Sequence, residues 1–220
     1  MTSTYPWIIN IFVWFLPVLT AISWREAIKA WVCHYRGDST AKMAGLGSFS
    51  LMKNLDPIGS ALAPFVLIIR HIGFIYAWAK PLDIRPNYLN RGTFDVGLIV
   101  FAGIASNFIM AIGWAWIGYI GQHFILNPNA AKYVTMAGKS GVSINLLLFL
   151  IHMIPLPPLD MSQLVRFYLP RYIKAFYITV DSIGHYLIFV IIFLKLEEPY
   201  LMPIMKALTD YLYSIVGFSL

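Results

Sequence analysis

The stretch WIINIFVWFLPVLTAISWREAIKAWV, residues 7–32, decides the fold class of this chain, because it carries no charge before Arg25. A helix needs about 20 mostly apolar residues to cross roughly 30 Å of hydrocarbon, and this stretch is long enough. It lacks the preceding basic residues and the small-residue cleavage site of a secretory signal, so we expect it to stay in the mature protein. The sequence therefore predicts that the chain enters a membrane through its first helix.

The composition extends this expectation to the rest of the chain. Of the 220 residues, 59% are hydrophobic and only 12% are charged, and the mean hydropathy is +0.70. Soluble proteins carry about 25% charged residues, which excludes a soluble fold and leaves the lipid bilayer as the surrounding medium. The net charge of +6 is modest and its basic residues form no block, so no nucleic-acid partner is expected.

Further apolar stretches predict the remaining spans, which are 58–78, 96–120, 141–154 and 175–194. The stretch 96–120 is rich in glycine and alanine, which let helices approach closely, so we place it in the middle of the bundle. The tail, 200–220, carries Lys206 and Asp210 on one helix face and is either an interfacial helix or a sixth span. The expected fold is an all-α polytopic membrane helix bundle. It forms one domain over 1–220, with about five transmembrane helices and an interfacial C-terminal helix.

Charged residues stand inside or beside these spans. Arg25 and Lys29 are four residues apart, which places them about 40° apart around a helix and about 6 Å along it. Glu26 is the residue after Arg25, about 100° further around the same helix. Asp160 follows the proline-rich run 155–158, which no continuous helix can carry. Such residues are costly at membrane depth and indicate function. The alternatives are headgroup-level charges for the first group and a helix-capping loop aspartate for Asp160.

Several short strings carry a family resemblance. In chain order they are EAIKAW at 26–31 with GDSTAK at 37–42, LDPIG at 55–59, WAKP at 78–81, AGIASN at 102–107 and IPLPPLD at 154–160. Their order over about 20–165 resembles the site-2 protease family of intramembrane zinc metalloproteases, in its compact form. Each string is weak by itself, and the order of all of them carries the resemblance, which implies a site-2 protease-like core.

The resemblance implies a metal chemistry whose ligands this chain lacks. In that family an HExxH helix supplies two zinc ligands and the glutamate that activates water, and an aspartate closes the site. Glu26 matches the catalytic glutamate and Asp160 the third ligand, but Arg25 and Lys29 stand at the histidine positions. Arginine stays protonated, and lysine would have to lose a proton beside a dication. No metal or other cofactor is therefore expected at this degenerate zinc site.

Other positions near the same motifs also depart from the family pattern. Ile104 replaces a proline and Met161 a glycine, and His152 stands where the family has an asparagine. Asn107, which helps to position substrate backbone in the family, is kept. The resemblance implies a substrate groove formed by Asn107, His152, Pro155 and Pro157.

Arg25 and Lys29 supply two positive charges where the family holds a doubly charged ion. We therefore expect them to pair with Asp160 and Glu26 as a charge-neutral structural network. The function that follows is a catalytically inactive homologue that binds a transmembrane segment of a partner membrane protein. We expect an integral multi-pass protein of a bacterial-type cytoplasmic membrane.

Two other functions stay open. One is an active intramembrane zinc metallopeptidase with an unconventional site around Glu26 and Asp160. Such a site could recruit one of the chain's histidines, which are His34, His71, His123, His152 and His185. Among them His152 is the candidate that lies eight residues before Asp160. The other is a transporter or lipid-binding bundle, which the composition allows and the order of the motifs disfavours.

Overall fold

The computed structural model describes residues 6–50, 53–70 and 75–218. Its helices are α1 (Pro6–Tyr35), α2 (Thr40–Met43), α3 (Pro57–Ile69, whose first part, Pro57–Leu62, is a π-helix), α4 (Thr93–His123), α5 (Pro128–His152), α6 (Asp160–Val165), α7 (Arg171–Phe193) and α8 (Glu198–Val216). The longest connection, residues 70–92 between α3 and α4, includes a short 3-10 helix, Pro86–Tyr88. The described residues contain one isolated β-bridge, between Leu55 and Ala79, and no strand. The predicted all-α bundle is confirmed.

Four helices within the described residues are long and apolar enough to cross a membrane. They cover Ile11–Tyr35, Thr93–His123, Pro128–His152 and Tyr172–Phe193. The first three form the packed centre, with 50 to 61% of their most apolar windows buried, whereas the same fraction in α7 is 11%. α7 is therefore a peripheral helix that presents most of its surface away from the chain.

Glycines allow α4 and α5 to lie against each other. A side chain at Gly138 would come within 2.4 Å of the backbone of Gly118. A side chain at Gly141 would lie 2.1 Å from the ring of Trp114. This close approach agrees with the central position predicted for 96–120 from its small residues.

The predicted span 58–78 is wrong as one continuous helix. Asp56 starts α3 by accepting hydrogen bonds from the backbone N–H groups of Ile58 and Gly59, but α3 ends at Ile69. Residues 75–79 are buried in an extended conformation. The backbone N–H of Lys80 donates to Asn54 O at 2.9 Å, so this segment pairs with the chain before α3 instead of extending a helix. Residues 71–74, which include His71, lie outside the described residues.

The fourth predicted span, 141–154, is longer than expected. α5 begins at Pro128, and the side chain of Asn127 caps it by accepting from the N–H groups of Asn129 and Ala130. The additional first half carries Lys132 and Lys139. Lys139 lies over the ring of Phe218 at 5.8 Å, so an aromatic contact accommodates its charge. The helix ends at His152, just before the proline-rich run, as the sequence predicts.

The C-terminal helix packs on the bundle through one face. Met205, Leu212, Tyr213 and Val216 of α8 are buried, and the helix stops at Gly217, which has a left-handed φ of 75°. Its role as an interfacial helix or a sixth span stays a prediction.

Candidate functional site

The charged residues singled out in the sequence meet at the centre of the bundle. Arg25, Glu26 and Lys29 lie on α1, and Asp160 is the first residue of α6. Each is at most 4% exposed. We call these four residues the ion-pair cluster.

Lys29 joins the two carboxylates of the cluster. Its Nζ lies 2.7 Å from Asp160 Oδ1 and 3.2 Å from Glu26 Oε2. Such distances are those of charge-assisted hydrogen bonds, which are the strong class of hydrogen bond. The ammonium group therefore binds directly between the residue that matches the catalytic glutamate and the residue that matches the metal-binding aspartate.

Arg25 completes the cluster from the other side. Its Nε and Nη2 donate to Glu26 Oε1 at 3.1 and 2.8 Å, and its Nη1 lies 3.8 Å from Asp160 Oδ2. The same Nη1 contacts Nε2 of His152. Two cations therefore face two carboxylates, and the cluster has no net charge when all four are ionised.

Asp160 is an anion in this environment. Burial by itself raises its pKa, but the positive charges of Lys29 and Arg25 outweigh burial and hold the pKa below the ordinary value of an aspartic acid. The backbone N–H of Asp160 donates to Nδ1 of His152 at 3.1 Å. Both ring nitrogens of His152 are therefore in contact with protein groups.

Two residues that the sequence did not single out shape the cluster. Gly103 of α4 leaves room for the stem of Lys29, since a side chain there would meet Lys29 Cδ at 2.7 Å. The backbone N–H of Leu82 donates to Glu26 Oε2 at 3.2 Å. Gly103 belongs to the AGIASN string, so the sequence could have indicated a close approach to a neighbouring helix at this position. Nothing in the sequence indicates the role of Leu82.

The residues present do not fit a zinc ion. Both carboxylates are already paired with Arg25 or Lys29, and a dication would meet two positive charges in the same space. Within residues 6–50, 53–70 and 75–218, no three His, Cys, Asp or Glu side chains are grouped so that they could hold a metal.

The other described histidines lie in separate local contacts. His34 Nδ1 is 2.9 Å from Ser39 Oγ, and His185 Nδ1 is 2.8 Å from the hydroxyl of Tyr76. The ring of His123 packs against Tyr119 at 4.5 Å.

The residues expected to form a substrate groove are mostly buried. Asn107 is fully buried, and its Nδ2 donates to Ala21 O at 3.2 Å and to Asn145 Oδ1 at 3.0 Å. His152 and Pro157 are also buried, and only Pro155 is exposed. Asn107 therefore ties α4 to α1 and α5 in this conformation and does not line an open groove.

A polar cavity of about 180 Å³ lies beside the cluster. It is bounded by the segment 81–84, by Pro158, and by charged side chains of α7 and its preceding segment, among them Asp181 and Arg166. Leu82, which binds Glu26 through its backbone, belongs to its lining. The cavity therefore brings polar groups to the edge of the ion-pair cluster.

Comparison with known proteins agrees with this architecture. The chain is 26% identical over 205 residues to "Putative zinc metalloprotease YwhC" of Bacillus subtilis (strain 168), a match that covers 89% of this chain and 86% of that protein. No protein-family model matches the chain, and no solved structure matches it. The chain is thus a homologue of a protein named as a zinc metalloprotease, and its helices are consistent with a site-2 protease-like membrane family.

Proposed function

We propose that this chain is a catalytically inactive homologue of the site-2 intramembrane metalloproteases, and that it binds a transmembrane segment of another membrane protein. The observation that supports inactivity is the ion-pair cluster. A metalloprotease needs a metal that polarises water and a carboxylate free to accept its proton. Here Arg25 and Lys29 hold both carboxylates.

Glu26 is poorly placed to act as a base. Its Oε1 accepts from Arg25, and its Oε2 accepts from the backbone N–H of Leu82 and pairs with Lys29. Both oxygens are therefore already in contact with donors, and neither is free to take a proton from water without losing a contact. Glu26 acts in this proposal as a structural ion-pair partner.

The partner would bind beside α7. This helix has only 11% of its apolar window buried by the chain, and it borders the polar cavity next to the cluster. A partner segment that unwinds in a membrane must find hydrogen-bond partners for its backbone groups, because hydrocarbon offers none. The polar cavity supplies such groups within an otherwise apolar surface. The lipid bilayer surrounds the rest of this multi-pass protein, in a bacterial-type cytoplasmic membrane.

Metal analysis and a cleavage assay on one pair of proteins test inactivity. Wild type and the double variant Arg25→His, Lys29→His are reconstituted in vesicles with a membrane-spanning reporter peptide. The double variant restores the HExxH spacing, so it is expected to gain zinc while wild type does not. Zinc-dependent cleavage by wild type would contradict the proposal.

Site-specific photocrosslinking tests partner binding. A photoreactive residue at Ile183, which is 51% exposed on α7 between two residues that line the polar cavity, is expected to give a discrete adduct with a membrane protein in cells. A matched probe at Phe124, 68% exposed at the end of α4 and away from α7, should give none. Equal labelling by lipid alone at both positions would refute the binding surface.

An active metallopeptidase is the second candidate function. The zinc metalloprotease name of the relative favours it, and the proximity of His152 to Asp160, with Nδ1 3.3 Å from Oδ2, supplies one histidine beside one carboxylate. This function requires the cluster to open and release its carboxylates. It predicts cleavage that both a chelator and Glu26→Gln abolish.

A further inference from the structure

An apolar cavity of about 300 Å³ lies against the proline-rich run. Ligand sites in proteins have volumes of roughly 300 to 1,000 Å³, so this cavity reaches the lower end of that range. Its walls come from the run after α5, from α7 and from the start of α8, and they include Leu156, Pro157, Phe176, Leu187 and Ile191. No member of the ion-pair cluster lines it.

One charged residue, Glu197, lines this apolar cavity. Its side chain is buried, with the residue 8% exposed, and neither carboxylate oxygen has a hydrogen-bond partner. Glu197 is the N-cap residue of α8, where a carboxylate commonly accepts from the first N–H groups of the helix, yet its side chain makes no such bond. A buried carboxylate without a donor is costly, so the cavity lacks a group that would complete it.

The nearby cations are placed outside the cavity. Lys195 pairs with Glu198 at 3.4 Å and is about half exposed, and its charge lowers the pKa of Glu197 by less than burial raises it. Arg70 lies over the ring of Phe193 at 5.6 Å and is exposed at the same end of α7. This end of the helix therefore offers one buried acceptor and two exposed positive charges.

We propose that the cavity binds an aminophospholipid, a lipid whose head carries a primary ammonium group and a phosphate. The ammonium donates to Glu197, part of an acyl chain fills the apolar cavity, and the phosphate lies near Lys195 and Arg70. A primary ammonium has three N–H donors and the opposite charge to the carboxylate, which makes a charge-assisted hydrogen bond. A choline head has a cation without N–H, and a glycerol head has no cation, so each lacks one element of the match.

Lipid titration of the whole protein tests this site. Delipidated protein in detergent is mixed with short-chain ethanolamine, choline or glycerol phospholipid, and bound lipid is counted by native mass spectrometry. A hydrogen bond to a charged group contributes about 1.5–3 kcal/mol, so ethanolamine lipid should bind about ten- to a hundredfold more tightly than the other two. Equal binding of the three lipids would overturn the proposal.

Two isosteric variants test whether the preference for ethanolamine lipid depends on Glu197. Glu197→Gln should reduce ethanolamine-lipid binding to the level of the choline lipid, whereas Asp210→Asn, which changes an exposed carboxylate of α8 outside the cavity, should leave it unchanged. A preference that survives Glu197→Gln would place the lipid elsewhere and refute the site. If Glu197→Gln does not fold, the selectivity of wild type among the three headgroups decides the question. None of these results depends on what the ion-pair cluster does.

Discussion

Removal of Arg25 is the change that the ion-pair cluster makes most informative. The side chain is almost fully buried, with the residue 4% exposed, and it donates twice to Glu26 while facing Asp160. Arg25→Ala leaves Lys29 to balance both carboxylates. Breaking a buried ion pair by removing one partner costs about 3–5 kcal/mol, because it leaves an uncompensated charge in the interior.

Thermal unfolding in detergent measures this loss. In chains of this length a loss of 1 kcal/mol lowers the melting temperature by about 2–4 °C, so the expected decrease is about 6–20 °C. Arg25→Lys keeps the charge and loses the planar fork, so it should fall between wild type and Arg25→Ala.

Arg85→Ala is the matched control for the loss of an arginine. Arg85 pairs with Asp83 at 3.1 Å, but both side chains are more than half exposed. Arg85→Ala should therefore have the same melting temperature as wild type. If Arg25→Ala also melts like wild type, the cluster contributes nothing to stability, and the proposed replacement of the metal by cations is refuted.

Three further predictions follow from other contacts. Gly103→Ala should destabilise the protein by about 1–3 kcal/mol, because the added methyl group displaces the stem of Lys29. Gly113→Ala, where nothing lies within 4 Å of the added group, should change stability little or raise it, and thermal melting of the two variants in parallel checks this. Lys29→Met and Asp160→Asn should each lower the free energy of unfolding, and the double variant should lose less than the sum of the two single losses, because it leaves fewer unpaired buried charges. Losses that add exactly in a double-mutant cycle would contradict this pairing. Burial raises the pKa of Glu197 above its ordinary value, so the contribution of this group to stability is lost as the pH rises above about 4.3 and through the raised pKa. Lipid-free wild type should therefore lose stability relative to Glu197→Gln over this pH range, and parallel melting curves that keep a constant difference would contradict this.

The charged residues of the site could be predicted because their spacing and chemistry are visible in the sequence. Arg25 and Lys29 share a helix face at four-residue spacing, and the prolines before Asp160 force the chain to turn. The family resemblance placed them near each other, and the structure shows the contacts themselves.

The two wrongly bounded spans, 58–78 and 141–154, have a common physical cause. An apolar stretch indicates that residues are removed from water, but it does not indicate whether their backbone is helical. Residues 75–79 are as apolar as a spanning helix, but they are buried as an extended segment that bonds to the chain before α3. The opposite error shortened α5, whose first half carries two lysines and is less apolar than its second half, yet is helical. Hydropathy alone does not separate these cases.

The sequence also could not predict which groups contact an individual side chain. Asn107 matches a residue that positions substrate in the family, yet its amide ties three helices together here. Glu197 reads as an ordinary glutamate in a short loop, and only the fold shows that its carboxylate lines an apolar cavity without a donor. Such roles depend on which helix packs beside the residue, and no local pattern carries that information.

The zinc content of the purified wild-type chain, measured after loading with zinc and removal of the excess, tests the central claim most directly. Because Arg25 and Lys29 pair with Glu26 and Asp160, the wild-type protein is expected to retain no zinc, whereas the double variant Arg25→His, Lys29→His should retain it. One tightly bound zinc per wild-type chain would contradict the account.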